Sequence, residues 1–191
     1  MDFEETVIGV SPKYHGAIID VENQTVQLPN GETAHRDVVH HAAAVAMLAL
    51  TETGKGLFEE QWRAPIEQVT IEIPAGKLDD RDRDNPEAAA IRELNEETRY
   101  AAGAIAQVSQ FYTSVGFSDE FMTLYLATKL TPVTTALPQD ADENITLHEY
   151  TLSEAKQLLT DGKIVDQKTV TAIYYWQLLD AGLVTPGQSL I

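Results

Sequence analysis

Three glutamates, Glu93, Glu96 and Glu97, crowd into the stretch GKLDDRDRDNPEAAAIRELNEETRY, which runs from Gly76 to Tyr100. On a helix each residue advances about 100°, so Glu93 and Glu97 share one stripe and Glu96 stands about 60° to the side of Glu93. Carboxylates at i and i+4 repel by roughly a few tenths of a kcal/mol in water, and by more beside an apolar stripe. Something should offset that cost. Carboxylate oxygens are hard ligands suited to Mg²⁺ or Mn²⁺, and a phosphate group would complete the coordination. Arg92 can brace Glu96 as an i, i+4 pair. From the helix alone, the alternative is an exposed acidic face laced with Arg92 and Arg99.

The helix itself is signalled by Asn85 as cap, Pro86 at the first position and Glu87 in the first turn, and should run to about Thr98. Ala89 and Ala90 are expected on the carboxylate side, leaving room for something bulky. Ile91, Leu94 and Thr98 form a neighbouring apolar stripe toward a sheet. Before it, the run Tyr14 to Val21, then TVQL, the Asn30-Gly31 pair and RDVV (36–39) read as a small β-meander. AAAVAMLALT reads as a buried strand closed by Gly54-Lys55-Gly56. LFEEQWRAP and QVTIEIPAG give two more, with Pro74 and Gly76 stopping the last.

After the acidic helix, AIAQVSQFYTS and FMTLYLATKL read as strands joined by SVGFSDE, and ITLHEY as a shorter one. Thr151 and Glu154 fit a capping box for a helix reaching Leu159, which Gly162 stops, and Asp166 can cap a last helix ending before Gly182. The order of elements argues for an α+β domain with helices packed on a mixed sheet.

The chain has 191 residues, 43% of them hydrophobic, enough for one ordinary domain with a real core. Thirty acidic residues against 13 basic ones give a formal charge of −17. A nucleic-acid partner would be repelled, and a divalent cation welcomed. With no cysteine there is no disulfide framework and no thiolate chemistry, which suits a reducing compartment. The N-terminus MDFEETV lacks the pattern of an export signal, and the run Ala42 to Leu50 is too short to span a bilayer, so a cytoplasmic protein without a membrane partner is expected.

In its spacing the Gly76 segment resembles the Nudix box: glycine, five residues, glutamate, seven residues, then Arg-Glu, an aliphatic residue, any residue, Glu-Glu, any residue, and glycine followed by an aliphatic residue. Gly76 takes the first glycine, and Arg92, Glu93, Leu94, Glu96 and Glu97 match the core in register. Three departures stand out. The loop after Gly76 is longer by two residues, Asp84 takes the place of the first glutamate, and Arg99 that of the second glycine. If that last position needs positive φ, a non-glycine residue costs on the order of 1 kcal/mol, and an altered helix end is expected.

EQWRAP (60–65), EIPAGK (72–77), FYTSVGFSDE (111–120) and DGKIVDQKTVTAI (161–173) extend the resemblance over most of the chain, to the ADP-ribose pyrophosphatase branch. Val115 stands where that branch usually has proline. The resemblance implies a β-rich subdomain over 1–41 that helps form a homodimer, then a Nudix α/β/α sandwich over 42–191. It implies hydrolysis of ADP-ribose to AMP and ribose 5-phosphate with Mg²⁺ or Mn²⁺. The implied metal ligands are the Ala75 carbonyl, Glu93 and Glu97, with Glu96 beside them as ligand and catalytic residue, and Arg63 is the implied diphosphate contact. Read by itself, Arg63 would pair with Glu59 or Glu60 at the surface.

A general base is expected from the loop QDADEN (139–144), with Glu143 first, Asp142 next and Glu120 the further alternative. Glu120 otherwise orients the terminal ribose or a water. Trp62 and Phe117 either stack on adenine or belong to the core, and Arg36 reaches the adenine of a partner subunit. No histidine shows a paired ligand spacing, so none is assigned. Other nucleoside diphosphate sugars or dinucleoside polyphosphates are the alternative substrates, and a Nudix-like sensor that binds ADP-ribose without hydrolysing it is the alternative outside enzymes.

Overall fold

Apolar and β-branched runs broken by glycine, proline and asparagine favour strands. The computed structural model describes residues 3–79, 82, 85–139 and 144–190, and within them the order is β1 (Thr6–His15), β2 (Ile19–Gln27), β3 (Thr33–His41), β4 (Ala44–Ala49), β5 (Gly56–Arg63), β6 (Gln68–Glu72), β7 (Ala75–Lys77), α1 (Pro86–Thr98), β8 (Tyr100–Tyr112), β9 (Phe121–Pro132), β10 (Thr146–Tyr150), α2 (Leu152–Thr160) and α3 (Gln167–Asp180). The chain divides into two units. One holds the residues up to Ala43 together with Phe111–Met122, and the other holds Ala44–Gln110 and the chain from Thr123 onward.

The first unit contains the antiparallel meander β1-β2-β3. Its second turn is the expected one: Gly31, at φ +87°, donates its N–H to Leu28 O at 2.8 Å. The run Tyr14 to Val21 is not one strand. Gly16 donates to Ile19 O at 3.0 Å, and the chain reverses there to make a hairpin. An apolar run does not mark a turn that its own backbone can close. Strand β1, which the sequence reading missed, carries Pro12 and is exposed along almost all its length, as an edge strand can be.

The second unit holds two sheets, β10-β5-β6 and β7-β4-β9-β8. Strand β4, AVAMLA, is buried at every residue, so it lies at the centre. Pro74 ends β6 as expected, but Gly76 does not end a strand: it sits inside β7, paired with Val45 of β4. Helix α1 packs on β4 and β7, and α3 on β4 and α2. Each helix start follows its signal. Asn85 Oδ1 accepts from Ala88 N–H at 3.0 Å, Thr151 and Glu154 complete both halves of a capping box, and Asp166 Oδ2 accepts from Thr169 N–H at 3.0 Å.

Three expectations for α1 are corrected. Ala89 and Ala90 do not leave room for a ligand; they are fully buried against Val45, Met47, Leu57 and Leu94, because a small side chain lets the helix approach the sheet closely. Ile91, expected on the packing stripe, is 44% exposed. The helix end is not disturbed either. Arg99 takes φ +64° and closes the left-handed cap, donating its N–H to Asn95 O at 3.1 Å, while its guanidinium donates to Leu137 O. The position therefore does demand positive φ, and arginine meets it with side-chain help. No helix among the described residues is long and apolar enough to cross a membrane.

Candidate active site

Glu93 and Glu97 follow Ala89 at intervals of four, so the stripe that buries the alanine also draws the two carboxylates inward, to 9% and 6% exposure. Strand β7 meets them there. Glu97 Oε2 accepts from Ala75 N–H at 3.0 Å, and a Cβ placed on Gly76 would stand 2.0 Å from the carboxyl carbon of Glu93. Only glycine lets that carboxylate lie over the strand.

Arg92 holds the group together. Its Nη1 donates to Glu93 Oε1 and to Glu96 Oε2, both at 2.8 Å, and its Nη2 donates to Asp82 Oδ2. Burial would lower its pKa, but Asp82, Glu93 and Glu96 hold it above the ordinary arginine value. The i, i+4 brace on Glu96 is therefore present, with two further partners. Among the described residues no three Asp, Glu or His side chains stand as a ready metal cluster. What meets at β7 is nonetheless a set of hard oxygen donors, carboxylates beside a strand backbone cleared by Gly76, and it fits a hard divalent cation.

Arg63 lies at the end of β5 in a second cluster. Its side-chain hydrogen bonds run to neither Glu59 nor Glu60. Its Nε and Nη2 donate to the two oxygens of Glu72 at 2.7 and 2.6 Å, a two-pronged bond. Glu72 is buried, and it also accepts from Lys168 Nζ and Thr70 Oγ1. Burial would raise its pKa, but Arg63, Lys168 and Thr70 overcome that and hold it at about 2.

Glu120, Phe117 and Arg36 belong to the first unit. Glu120 Oε2 accepts from Thr113 Oγ1 at 2.6 Å and its Oε1 is 3.5 Å from His41 Nδ1. The loop that carries it, with Val115 in place of a proline, turns through Phe117 N–H and Ser118 N–H to Ser114 O at 3.1 and 2.9 Å, and Val39 N–H donates to Phe117 O at 2.7 Å. His40 ties the same loop to β3. Its Nδ1 is 2.6 Å from Asp119 Oδ2 and its Nε2 3.3 Å from Glu22 Oε1, and those carboxylates raise its pKa. Phe117 and Trp62 are both more than half exposed, so neither is core. Arg36, on β3, pairs with Glu5. Glu143, Asp142 and Asp84 lie outside the described residues.

Sequence reading missed Asp82, Glu72 and Lys168. Asp82 had a signal: it stands at glycine-plus-five spacing from Gly76, where the box has its first acid, whereas Asp84 keeps the seven-residue spacing to Arg92. Glu72 and Lys168 lie in the quoted stretches EIPAGK and DGKIVDQKTVTAI, but nothing local pairs residues 96 positions apart.

The NUDIX domain family model matches residues 40–173. An ADP-ribose pyrophosphatase of Bacillus subtilis is 40% identical over 93% of this chain and 95% of its own. A methanol dehydrogenase activator of Bacillus methanolicus is 41% identical over 94% of this chain and 96% of its own. A solved structure described as an ADP compounds hydrolase superposes with a TM-score of 0.82, covering 96% of this chain and all of that one. At 18% identity it speaks for the fold alone. With Glu93 seated over Gly76, Glu97 bonded to Ala75 and near full-length relatives at this identity, the chain belongs to the Nudix family and is a Nudix hydrolase.

Proposed function

We propose that the protein hydrolyses the diphosphate bond of ADP-ribose, giving AMP and ribose 5-phosphate, with Mg²⁺ or Mn²⁺. The observation that carries this reading is the seat of Glu93 on Gly76 beside the Glu97 bond to Ala75, in a chain 40% identical to an ADP-ribose pyrophosphatase. Glu93, Glu97 and the Ala75 carbonyl, with Glu96 beside them, would hold the cation. Bound there, a divalent ion neutralises the diphosphate and lowers the pKa of a water. Arg63 presents the outer edge of its guanidinium to phosphate oxygens, and Arg92 holds the Glu93 and Glu96 carboxylates in place.

Glu143 takes the proton of the attacking water, with Asp142 and Glu120 as the alternatives for that role. Water adds to one phosphorus as the bridging P–O bond breaks, and the departing phosphate keeps the bridging oxygen. Glu120 otherwise orients the terminal ribose, and the exposed ring of Phe117 is available to adenine. The protein works as a homodimer in the cytoplasm. Supporting the dimer, β1 exposes Val7, Ile8, Val10 and Tyr14, each near half of its surface, on a three-stranded sheet. Arg36 then serves the partner subunit's adenine.

The test is release of AMP from ADP-ribose with and without Mg²⁺ or Mn²⁺, beside GDP-mannose and diadenosine polyphosphates. Metal-dependent AMP release with ADP-ribose as the preferred substrate is expected; preference for another compound moves the substrate, and binding without turnover makes the protein a sensor. The Bacillus methanolicus relative favours a second reading, in which the chain activates a methanol dehydrogenase. Methanol oxidation by such an enzyme, followed with and without the purified protein, separates the two.

A further inference from the structure

Between two cations, Arg63 and Lys168, lies a carboxylate with no part in the proposed hydrolysis so far. Glu72, at the end of β6, is 2% exposed, and Lys168, from the first turn of α3, is 7% exposed and also bonds Asp166 Oδ2 at 3.0 Å. Buried ion pairs are weak evidence for stability, since an apolar group of similar volume often serves the fold as well. What such a cluster does supply is geometry. Of the three charged groups joined at Glu72, Arg63 alone reaches well into solvent, with 42% of its side chain exposed. Its Nε and Nη2 are held from inside, and its Nη1 makes no hydrogen bond among the described residues. The outer edge of the fork therefore faces away from Glu72.

The same α3 turn grips the strand that leads to the carboxylate site. Thr169 Oγ1 accepts from Ile73 N–H at 2.9 Å while itself donating to Asp166 Oδ2 at 2.7 Å. One short segment, 166–169, thus fixes the anchor of Arg63 and the entry into β7, two residues before Ala75 and three before Gly76.

We propose that Glu72, locked by Lys168 and Thr70, is a positioning residue that orients the guanidinium of Arg63 toward the substrate diphosphate. The inference rests on the reading of Arg63 as the diphosphate contact. A free arginine would lose rotamer freedom on each binding event; this one has lost it on folding.

The test measures kcat and KM for ADP-ribose at saturating Mg²⁺ in Arg63→Ala, Glu72→Gln, the charge-compensated Glu72→Gln/Lys168→Met, and Arg63→Ala/Glu72→Gln. Each Glu72 variant is expected to raise KM about tenfold while kcat stays within about threefold. Added to Arg63→Ala, the Glu72 change should raise KM no further, because it acts through the missing side chain. A folded Glu72→Gln/Lys168→Met with native KM, beside an Arg63→Ala with raised KM, overturns the positioning role and leaves the diphosphate reading standing. Additive losses overturn it too. A native KM in Arg63→Ala removes the diphosphate contact and this inference with it. Should the Glu72 variants not fold, nitrogen NMR of the wild type decides. A slowly exchanging Nε–H, assigned through Arg63→Lys, supports the clamp, and exchange at the rate of solvent-exposed arginines overturns it.

Discussion

Two charged clusters in the second unit solve the charge problem in opposite ways. Among the described residues one guanidinium on α1, Arg92, bonds three carboxylates, Asp82, Glu93 and Glu96. At the end of β6 one carboxylate, Glu72, is served by two cations, Arg63 and Lys168. A carboxylate shared by two cations has its charge met within the fold and needs no ligand. A row of glutamates drawn inward by their neighbours, beside backbone that a glycine has cleared, is suited to an added cation. The difference teaches that acid content alone says little about chemistry, and that the local ratio of acids to bases, together with what backbone has been cleared beside them, says much more.

The largest expected effect breaks the comparison at its first member. Glu97→Gln removes a proposed ligand and a repulsion together, so AMP release at saturating Mg²⁺ should fall by about two to three orders of magnitude, with the thermal midpoint unchanged or raised. Wild-type turnover in that variant would end the metal assignment. Acid titration probes the second member. Glu72 titrates at about 2 in the folded chain against 4.5 as the ordinary value, so its contribution is fully present above pH 4.5 and lost as pH falls toward 2. Unfolding free energy from denaturant curves should drop by on the order of 3 kcal/mol across that window, and Glu72→Gln/Lys168→Met should flatten the drop.

A smaller effect tests the cleared backbone. In Gly76→Ala the new Cβ displaces the flexible end of Glu93 rather than any backbone, so the fold should survive while kcat falls about tenfold. An unchanged kcat would show that Glu93 is not needed on the strand. Smallest is Arg99→Gly, which relieves positive φ at the end of the same helix but loses the bond to Leu137 O. The thermal midpoint should shift by no more than the equivalent of about 1 kcal/mol.

Much of this was legible because it is local. Asn85, Thr151 and Asp166 cap the helices that their positions announce, and a cap is satisfied by a backbone N–H only a few residues on. The Arg92 to Glu96 pair is local for the same reason. The errors are equally instructive. Ile91 and Leu94 are alike in hydropathy, but only contact with β4 and β7 sets which side of α1 faces inward, and it took the alanines in and left Ile91 out. The turn at Gly16 and the strand β1 were hidden because β1 pairs through backbone groups and buries almost nothing.

By itself the sequence determined the helix starts, the α+β order and the spacing of three glutamates on one helical face, since each depends on residues within a turn or two of each other. Only tertiary structure decided that Gly76 lies beneath Glu93, that Arg63 is held by Glu72, and that Lys168 completes that hold from α3. The reason is physical. Which charges meet, and how dry the place is where they meet, depends on elements packed together from distant parts of the chain, and no local pattern encodes that distance.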